Sequence, residues 1–366
     1  MIIKKIVEGK KIAPIVDKIL LGQRINVEEG IQLYKEADLS VLGYLANLIR
    51  EKKNGDRVYF NRNLHIEPTN QCVYACKFCS YYRKKGEKGW EFSREDMLKQ
   101  VEDMGDQITE VHIVGGVHPT WDVQYYGELF QSIKALRPDV HIKAFTAVEI
   151  SYIAKRSKMT VREGLQALKD FGLDSIPGGG AEIFDEEIRQ KVCPSKDTGE
   201  EWLSLHETAH QLGIPTNATI LYGHIDQIEH RIDHLNRLRE LQDRTGGFNV
   251  FIPLKYKKEN NELAYLGEVS VVEDIKLYAI SRIFLDNFNH IKAYWPMIGK
   301  DIAQLLLSFG VDDFDGTIND STKIYSLAGA EDQSPTMNTE EMVNMIKDVG
   351  RKPVERDSIY NILKEY

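Results

Sequence analysis

The sequence has no long apolar run and no excess of positive charge. Its 366 residues contain 47 Lys and Arg against 56 Asp and Glu, which gives a formal net charge of −9. No stretch approaches the roughly 18 apolar residues that a membrane-spanning helix needs, and the charged N-terminus lacks the apolar core of a secretory signal. Nucleic-acid surfaces depend on clustered Lys and Arg, which this balance does not favour. We therefore predict a cytoplasmic protein with no membrane span and no nucleic-acid partner.

Cysteine is also scarce, and its four residues are unevenly placed. Cys72, Cys76 and Cys79 are close together, whereas Cys193 stands alone. In a reducing compartment, clustered cysteines indicate metal ligands before disulfides. Three thiolates suit zinc or an iron–sulfur cluster, although a structural zinc needs a fourth ligand and a 4Fe–4S cluster can leave one iron open. We expect Cys193 to be a packed or partly exposed thiol.

Short β-type runs alternate with amphipathic helices from about residue 64. The predicted strands are 64–69, 110–116, 140–147, 173–178, 216–223, 248–253, 290–296 and 311–317. Eight β-then-α units predict an α/β protein with a closed (β/α)8 barrel of the TIM type, and the G-x-G-x-x-G of a doubly wound sheet is absent. Apolar residues at helical spacing near the start predict a helical N-terminal extension. The predicted division is residues 1–60 for the extension and 61–366 for the barrel.

The cysteines follow the first predicted strand, at the barrel rim where such folds place their chemistry. Phe78, next to the last cysteine, would form an apolar wall that tunes a cluster by excluding solvent. C-x3-C-x2-C with this aromatic residue, just after the first strand, resembles the radical S-adenosylmethionine (SAM) superfamily. The resemblance implies a 4Fe–4S cluster on Cys72, Cys76 and Cys79, with S-adenosyl-L-methionine bound to the open iron. It also implies a one-electron donor such as flavodoxin or ferredoxin.

The same resemblance assigns cofactor-binding roles to other rim residues. Gly115 and Gly116 resemble the turn whose carbonyls hold the methionine amine. Glu182 would bind the ribose hydroxyls, and Arg189 would take the methionine carboxylate, for which a guanidinium fork is well shaped. For Arg189 the alternative is a solvated helix face.

A closer resemblance, to the aminofutalosine synthase family, covers nearly the whole chain. It is carried by segments that include PGGGAEIF, LYGHID, HIKAYW and FGVDDFDGT. It implies that the 5′-deoxyadenosyl radical adds to 3-[(1-carboxyvinyl)oxy]benzoate, with rearrangement and release of bicarbonate, to form 6-amino-6-deoxyfutalosine in menaquinone biosynthesis. The sister cyclase, which acts on dehypoxanthine futalosine, shares the cysteines. Ala293–Trp295 and Asp315–Thr317 look more like the synthase.

Such a substrate carries two carboxylates and needs polar partners in an otherwise dry cavity. Each candidate is equally well explained as a packed, hydrogen-bonded core residue. The candidates are His65, Asn217, His224, Arg282, Tyr294 and Thr317.

One motif competes with this interpretation. His206–His210 reads H-E-x-x-H, the signature of zinc metallopeptidases. The surrounding apolar periodicity predicts a helix on the outer ring of the barrel, and a third ligand is not evident. A second pair, His230 and His234, is expected on a solvated helix face.

Overall fold

The computed structural model describes residues 2–319 and 321–366, in which α-helices and β-strands alternate. The strands are β1 (Arg57–Ile66), β2 (Glu110–Ile113), β3 (His141–Ala144), β4 (Thr216–Tyr222), β5 (Phe248–Lys255), β6 (His290–Ile291), β7 (Asp313–Asn319), β8 (Thr336–Met337), β9 (Lys352–Arg356) and β10 (Ile362–Glu365). The helices are α1 (Ile2–Ile6), α2 (Ala13–Leu20), α3 (Val27–Glu36), α4 (Leu39–Asn54), α5 (Arg94–Met104), α6 (Val123–Leu136), α7 (Ala147–Arg156), α8 (Val161–Asp170), α9 (Glu186–Val192), α10 (Gly199–Gln211), α11 (Ile228–Thr245), α12 (Val271–Phe284), α13 (Trp295–Ile298), α14 (Lys300–Leu306) and α15 (Thr339–Asp348).

The strands form a closed ring of parallel pairings. β1 pairs with β2, β2 with β3, β4 with β5, β5 with β6, and β7 returns to β1. The ring is completed by the bridges Lys143 to Ser175, Ile176 to Thr216 and Lys292 to Asp313. The segment 175–176 therefore serves as the fourth of eight strands. The prediction of a (β/α)8 barrel with a helical N-terminal segment is confirmed.

Local sequence signals explain where many helices begin. Helices α3, α5, α7, α8, α10 and α15 each start with a capping box, in which the N-cap side chain and the third helical residue exchange hydrogen bonds with the backbone. These exchanges satisfy amide groups that have no partner within the helix. At the rim, the box of α7 is formed by Thr146 and Glu149, which both line the cavity that the three cysteines share.

The N-terminal helices cover one side of the barrel. Helices α3 and α4 pack against α11 and α12. Gly43 of α4 lies so close to Phe309 that an added Cβ would fall 2.7 Å from the ring. The Tyr34 hydroxyl donates to Glu273 of α12 at 2.8 Å. The extension is therefore packed into the same core as the barrel, while its predicted end at residue 60 stays a prediction.

Two features differ from the sequence prediction. The first strand begins at Arg57, before the predicted start at residue 64, because residues 57–60 pair with β9, a contact that the local sequence does not reveal. The strands β8, β9 and β10 were not predicted. β9 pairs in parallel with the first half of β1, and β10 pairs with β9. Their pairing depends on a partner distant in sequence, which a short charged run does not reveal. Within the described residues, no helix has the length and apolar character needed to cross a membrane.

Candidate active site

The three cysteines lie between β1 and α5, and we call residues 68–93 the cysteine loop. Backbone hydrogen bonds tie this loop to itself, to the turn after β2 and to the end of α9. They include Cys72 N to Arg83 O (2.9 Å), Val73 N to Val117 O (3.0 Å) and Lys77 N to Val192 O (2.9 Å). The positions of the thiols are therefore set by several separate parts of the barrel rim.

The thiols face one cavity of about 110 Å³, which Phe78 and Lys196 also line and which we call the cysteine cavity. Burial raises the pKa of all three thiols, and the Lys196 ammonium opposes that shift. The Val117 N–H donates to Cys72 Sγ at 3.4 Å. A nearby cation and an N–H donor both stabilise a thiolate, the form that binds metal.

The three thiols line one cavity, as the ligands of a single cluster would. A 4Fe–4S cluster bonds each cysteine at a separate corner and so accepts thiols that are not gathered around one point. Cys193 is 2% exposed and packs beside Cys76 in an apolar group with Tyr256, as expected for a packed thiol.

Gly115 and Gly116 lie at the end of β2, where the cysteine loop crosses closely over the backbone. A Cβ on Gly116 would fall 2.2 Å from Gln71 O, and one on Gly115 would fall 2.8 Å from Thr69 O. Only glycine permits this approach. Both glycines line the cysteine cavity, so their contact with the loop helps to shape its wall.

Glu182 and Lys196 form an ion pair next to the cysteines. The Lys196 ammonium donates to Glu182 at 2.6 Å and lies 5.3 Å from the centre of the Phe78 ring. Glu182 has a φ of 48°, in the left-handed region that non-glycine residues seldom adopt, and such positions cluster at functional sites. Lys196 was not singled out from the sequence. Its place in the cavity depends on the fold of the segment that follows α9.

Arg189, the predicted carboxylate ligand, takes a different position from Lys196. Its guanidinium is buried and donates to the backbone carbonyls of Ala181 at 2.5 Å, Ile183 at 3.2 Å and Asp197. These contacts join the strand-end segment of Glu182 to the turn after α9. Arg189 thereby holds the backbone that presents Glu182 and Lys196, and it is not on a solvated helix face.

A second cavity, of about 180 Å³, occupies the inside of the barrel and is called the lumen cavity here. His65, Asn217 and Tyr294, three of the six predicted substrate-binding residues, line it. Thr146 lines both cavities, so the lumen cavity and the cysteine cavity adjoin at the N-terminus of α7. A molecule bound at the cysteines would therefore face the inside of the barrel.

The other three predicted substrate residues lie elsewhere. The His224 ring bonds to Leu221 O at 3.1 Å and accepts from Ile225 N at 2.8 Å, within its own turn. Arg282 is fully buried on α12, where it donates to Gly310 O at 2.7 Å and pairs with Asp312. Thr317 lines a separate cleft that also includes Arg62, Asn319 and Asn338. Three of the six candidates therefore line the lumen cavity, and the other three do not.

The inside of the barrel is more polar than the sequence analysis predicted. Such barrels are usually filled by Val, Ile and Leu. Here the lumen cavity contains two buried ion pairs, Lys143 with Glu110 and Lys292 with Asp315, each at 2.6 Å. Burial alone would raise the pKa of Glu110, but the Lys143 ammonium holds this pKa well below its usual range. The wall therefore carries charges that are already neutralised in pairs.

Two histidines complete this polar interior. The rings of His65 and His112 lie 4.6 Å apart, and His65 also stacks on Tyr294 at 6.2 Å. Burial lowers the pKa of both histidines, so they are neutral imidazoles near pH 7. His112 Nε2 is buried without a hydrogen-bond partner among the described residues. It is one polar atom that a bound substrate can satisfy.

The H-E-x-x-H motif lies on α10, on the outer ring of the barrel. His206 and His210 both contact the Thr216 hydroxyl at 2.8 Å, and His210 also contacts the Thr245 hydroxyl at 2.7 Å. Their ring nitrogens therefore join α10 to β4 and α11. The expectation for His234 is wrong. Its ring is buried, bonds to Thr219 O at 2.8 Å and stacks on a phenylalanine.

Comparisons with known proteins define the class to which this chain belongs. Residues 66–238 match the Radical SAM superfamily, and residues 245–365 match the CofH/MqnC C-terminal region. The chain belongs to the radical SAM superfamily and is an enzyme of the radical SAM type. The resemblance inferred from the cysteine loop is confirmed.

Individual relatives are similar along nearly the whole chain. Aminodeoxyfutalosine synthase of Thermus thermophilus is 42% identical over 363 residues, which cover 97% of this chain and 96% of that protein. Cyclic dehypoxanthine futalosine synthase of Streptomyces coelicolor is 37% identical and covers 97% of this chain and 90% of that protein. The crystal structure of methylornithine synthase matches with a TM-score of 0.75 at 18% identity, covering 92% of this chain and 96% of that one. This last likeness shows the fold alone.

Proposed function

We propose that this enzyme is an aminodeoxyfutalosine synthase, which forms 6-amino-6-deoxyfutalosine from SAM and 3-[(1-carboxyvinyl)oxy]benzoate in menaquinone biosynthesis. The observation that carries the proposal is 42% identity to a synthase over nearly the full length of both chains. The adjoining cysteine and lumen cavities support it, because they provide neighbouring places for SAM and for a second substrate.

Cys72, Cys76 and Cys79 would hold the 4Fe–4S cluster. When bound and reduced by a donor such as flavodoxin or ferredoxin, the cluster supplies the electron that cleaves SAM to methionine and a 5′-deoxyadenosyl radical. The protein's own part is to bind and orient SAM beside the thiols. Phe78 and the glycine turn shape the cysteine cavity for this purpose.

Glu182 and Lys196 are the charged groups best placed to bind SAM. Glu182 remains our proposal for the ribose hydroxyls. For the methionine carboxylate we propose Lys196, because its ammonium lines the cysteine cavity, whereas the donors of Arg189 are directed at backbone carbonyls. Arg189 then acts by supporting the segment that carries both residues.

The lumen cavity would hold the enol ether of the benzoate. In the proposed reaction the 5′-deoxyadenosyl radical adds to the vinyl group and the adduct rearranges onto the ring. The carboxyl carbon then leaves, returns one electron and takes up water to become bicarbonate. A radical must be kept from water and from easily abstracted hydrogens. The aromatic and aliphatic lining, which includes Tyr294, Ile252 and Leu254, suits this demand. His65, His112 and Asn217 provide neutral polar groups for the carboxylates.

The sister cyclase is the second candidate, since a cyclic dehypoxanthine futalosine synthase is 37% identical to this chain. Product analysis separates the two. Anaerobically reconstituted, reduced enzyme is incubated with SAM and either 3-[(1-carboxyvinyl)oxy]benzoate or dehypoxanthine futalosine. Mass spectrometry should detect an adenosyl adduct and an equal amount of methionine with the first compound. Free 5′-deoxyadenosine with no adduct, or turnover of dehypoxanthine futalosine alone, would contradict the proposal. Reconstituted protein that lacks the three cysteines is the control.

A further inference from the structure

Glu67 is a buried carboxylate directly after β1, outside the residues proposed to bind the cluster, SAM or the substrate carboxylates. It is 6% exposed and lines the lumen cavity. One of its oxygens accepts hydrogen bonds from the Thr322 hydroxyl at 2.8 Å, from Lys323 N at 3.0 Å and from Ile324 N at 3.3 Å. A buried carboxylate is costly unless its oxygens are satisfied. Here three consecutive residues, distant in sequence, provide that compensation.

The partners of Glu67 form part of the cavity wall. Thr322, Ile324 and Tyr325 all line the lumen cavity, and the Tyr325 ring lies 5.4 Å from that of Tyr294. We call residues 322–325 the mouth segment. It consists of coil and turn, so its position depends on bonds to other parts of the molecule.

The mouth segment has a second attachment, outside the lumen cavity. Asn260, in the loop after β5, donates from its side chain to Leu327 O at 2.9 Å, and Glu259 N donates to Ala328 O at 3.1 Å. These bonds hold the continuation of the segment on the outer side. Glu67 accepts hydrogen bonds from two residues of the wall itself, Thr322 and Ile324.

Glu67 also contacts the cysteine loop. Trp90 Nε1 donates to Glu67 O at 3.1 Å. Tyr81 lines the cysteine cavity and lies close to the Glu67 carboxylate. The pKa of Tyr81 is raised, mainly by burial and then by the charge of Glu67. Glu67 therefore lies between the loop that carries the thiols and the segment that closes the lumen cavity.

We propose that Glu67 is a positioning residue that holds the mouth segment as a wall of the lumen cavity, so that an aromatic acid is enclosed against Tyr325 and Tyr294 beside the SAM site. The identity of the aromatic acid rests on the proposed function. The hydrogen bonds from the mouth segment to Glu67 are independent of that function.

The experiment compares Glu67→Ala with Glu67→Gln and with a matched control, Asn260→Gly. The amide of Gln keeps an acceptor oxygen, whereas Ala leaves the mouth segment without this partner. Asn260→Gly removes a bond to the same segment without touching a lining residue, and its φ of 58° suits glycine. Should Glu67→Ala fail to fold, Thr322→Val replaces it, because it removes one donor at nearly constant shape.

Two readouts are needed. Hydrogen exchange of the Lys323 and Ile324 amides, measured on protein without substrate, should be faster in Glu67→Ala and near the wild-type rate in Glu67→Gln. In turnover assays, Glu67→Ala should raise the KM for 3-[(1-carboxyvinyl)oxy]benzoate about tenfold or more, as expected for loss of buried hydrogen bonds. It should also release more free 5′-deoxyadenosine per product, while the KM for SAM changes little.

The proposal is overturned if exchange is unchanged in Glu67→Ala, if Asn260→Gly has the same effects, or if exchange rises while KM and the product ratio stay constant. The exchange measurement needs no turnover. If wild-type enzyme uses neither substrate, the proposed function fails, and the exchange result still decides whether Glu67 holds the mouth segment.

Discussion

The cysteine cavity and the lumen cavity adjoin at Thr146, yet they are built in opposite ways. The thiols come from one short loop held by backbone hydrogen bonds, and Lys196 faces them as a buried cation. The lumen cavity is lined by side chains from many strands, and its two lysines are each paired with a carboxylate. The first cavity therefore takes its thiols from neighbouring residues of one loop, with Lys196 paired to Glu182 beside them, whereas the second takes its paired charges from separate strands.

This difference indicates that the two cavities have separate functions. A site that binds a cluster and an anionic group needs thiols with a cation close to them. A site for radical chemistry needs walls that stay in place and exclude water. The ion pairs of the lumen cavity join neighbouring strands, β2 with β3 and the end of β6 with β7. We interpret them mainly as supports of the barrel interior.

The largest expected effect comes from removing the ligands of the cysteine cavity. The triple variant Cys72→Ala, Cys76→Ala, Cys79→Ala should lose all of the roughly four iron and four sulfide per chain that a 4Fe–4S cluster contains, along with turnover. Iron and sulfide analysis of anaerobically purified protein measures this. The Cys193→Ala variant should keep its iron and its sulfide. Equal loss in Cys193→Ala would make that buried thiol a ligand, and colourless wild-type protein with one zinc would contradict the cluster.

The next effect tests the paired charges of the lumen cavity. Lys143→Met leaves Glu110 buried without its partner, and we expect a loss of about 3–5 kcal/mol in the free energy of unfolding. The double variant Lys143→Met, Glu110→Gln removes the unpaired charge and should regain most of that loss. Urea unfolding of the three proteins gives the comparison. A single variant as stable as wild type, or a double variant no better than the single one, would contradict the interpretation.

The smallest effect concerns the cation of the cysteine cavity. Lys196→Gln should weaken SAM binding by about 10- to 100-fold, the range expected for a lost hydrogen bond between charged groups. Titration calorimetry on cluster-containing protein measures it. Lys191→Gln, on the exposed face of α9 in the same segment, is the matched control and should bind SAM normally. Equal weakening in both variants would indicate a general charge effect, and the contrast between the cavities would be lost.

Local patterns in the sequence were enough for the cysteine loop and the barrel. C-x3-C-x2-C needs only neighbouring residues, and alternating strand and helix periods need only windows of ten or so residues. His65, Asn217 and Tyr294 could be chosen because they lie within predicted strands, where a polar side chain can face the inside of the barrel. Arg282 and Thr317 could not be excluded, since the direction of a side chain relative to the barrel depends on strand register and helix rotation.

By itself, the sequence determined the superfamily, the three candidate cluster ligands and the order of the barrel elements, because these depend on residue type and on short-range spacing. Only the tertiary structure decided that Lys196 faces the thiols while Arg189 binds carbonyls, that Lys143 meets Glu110, and that Glu67 meets residues 322–324. Each of these contacts joins segments that are separated along the chain. Their geometry is set by ring closure and packing, which no local pattern encodes.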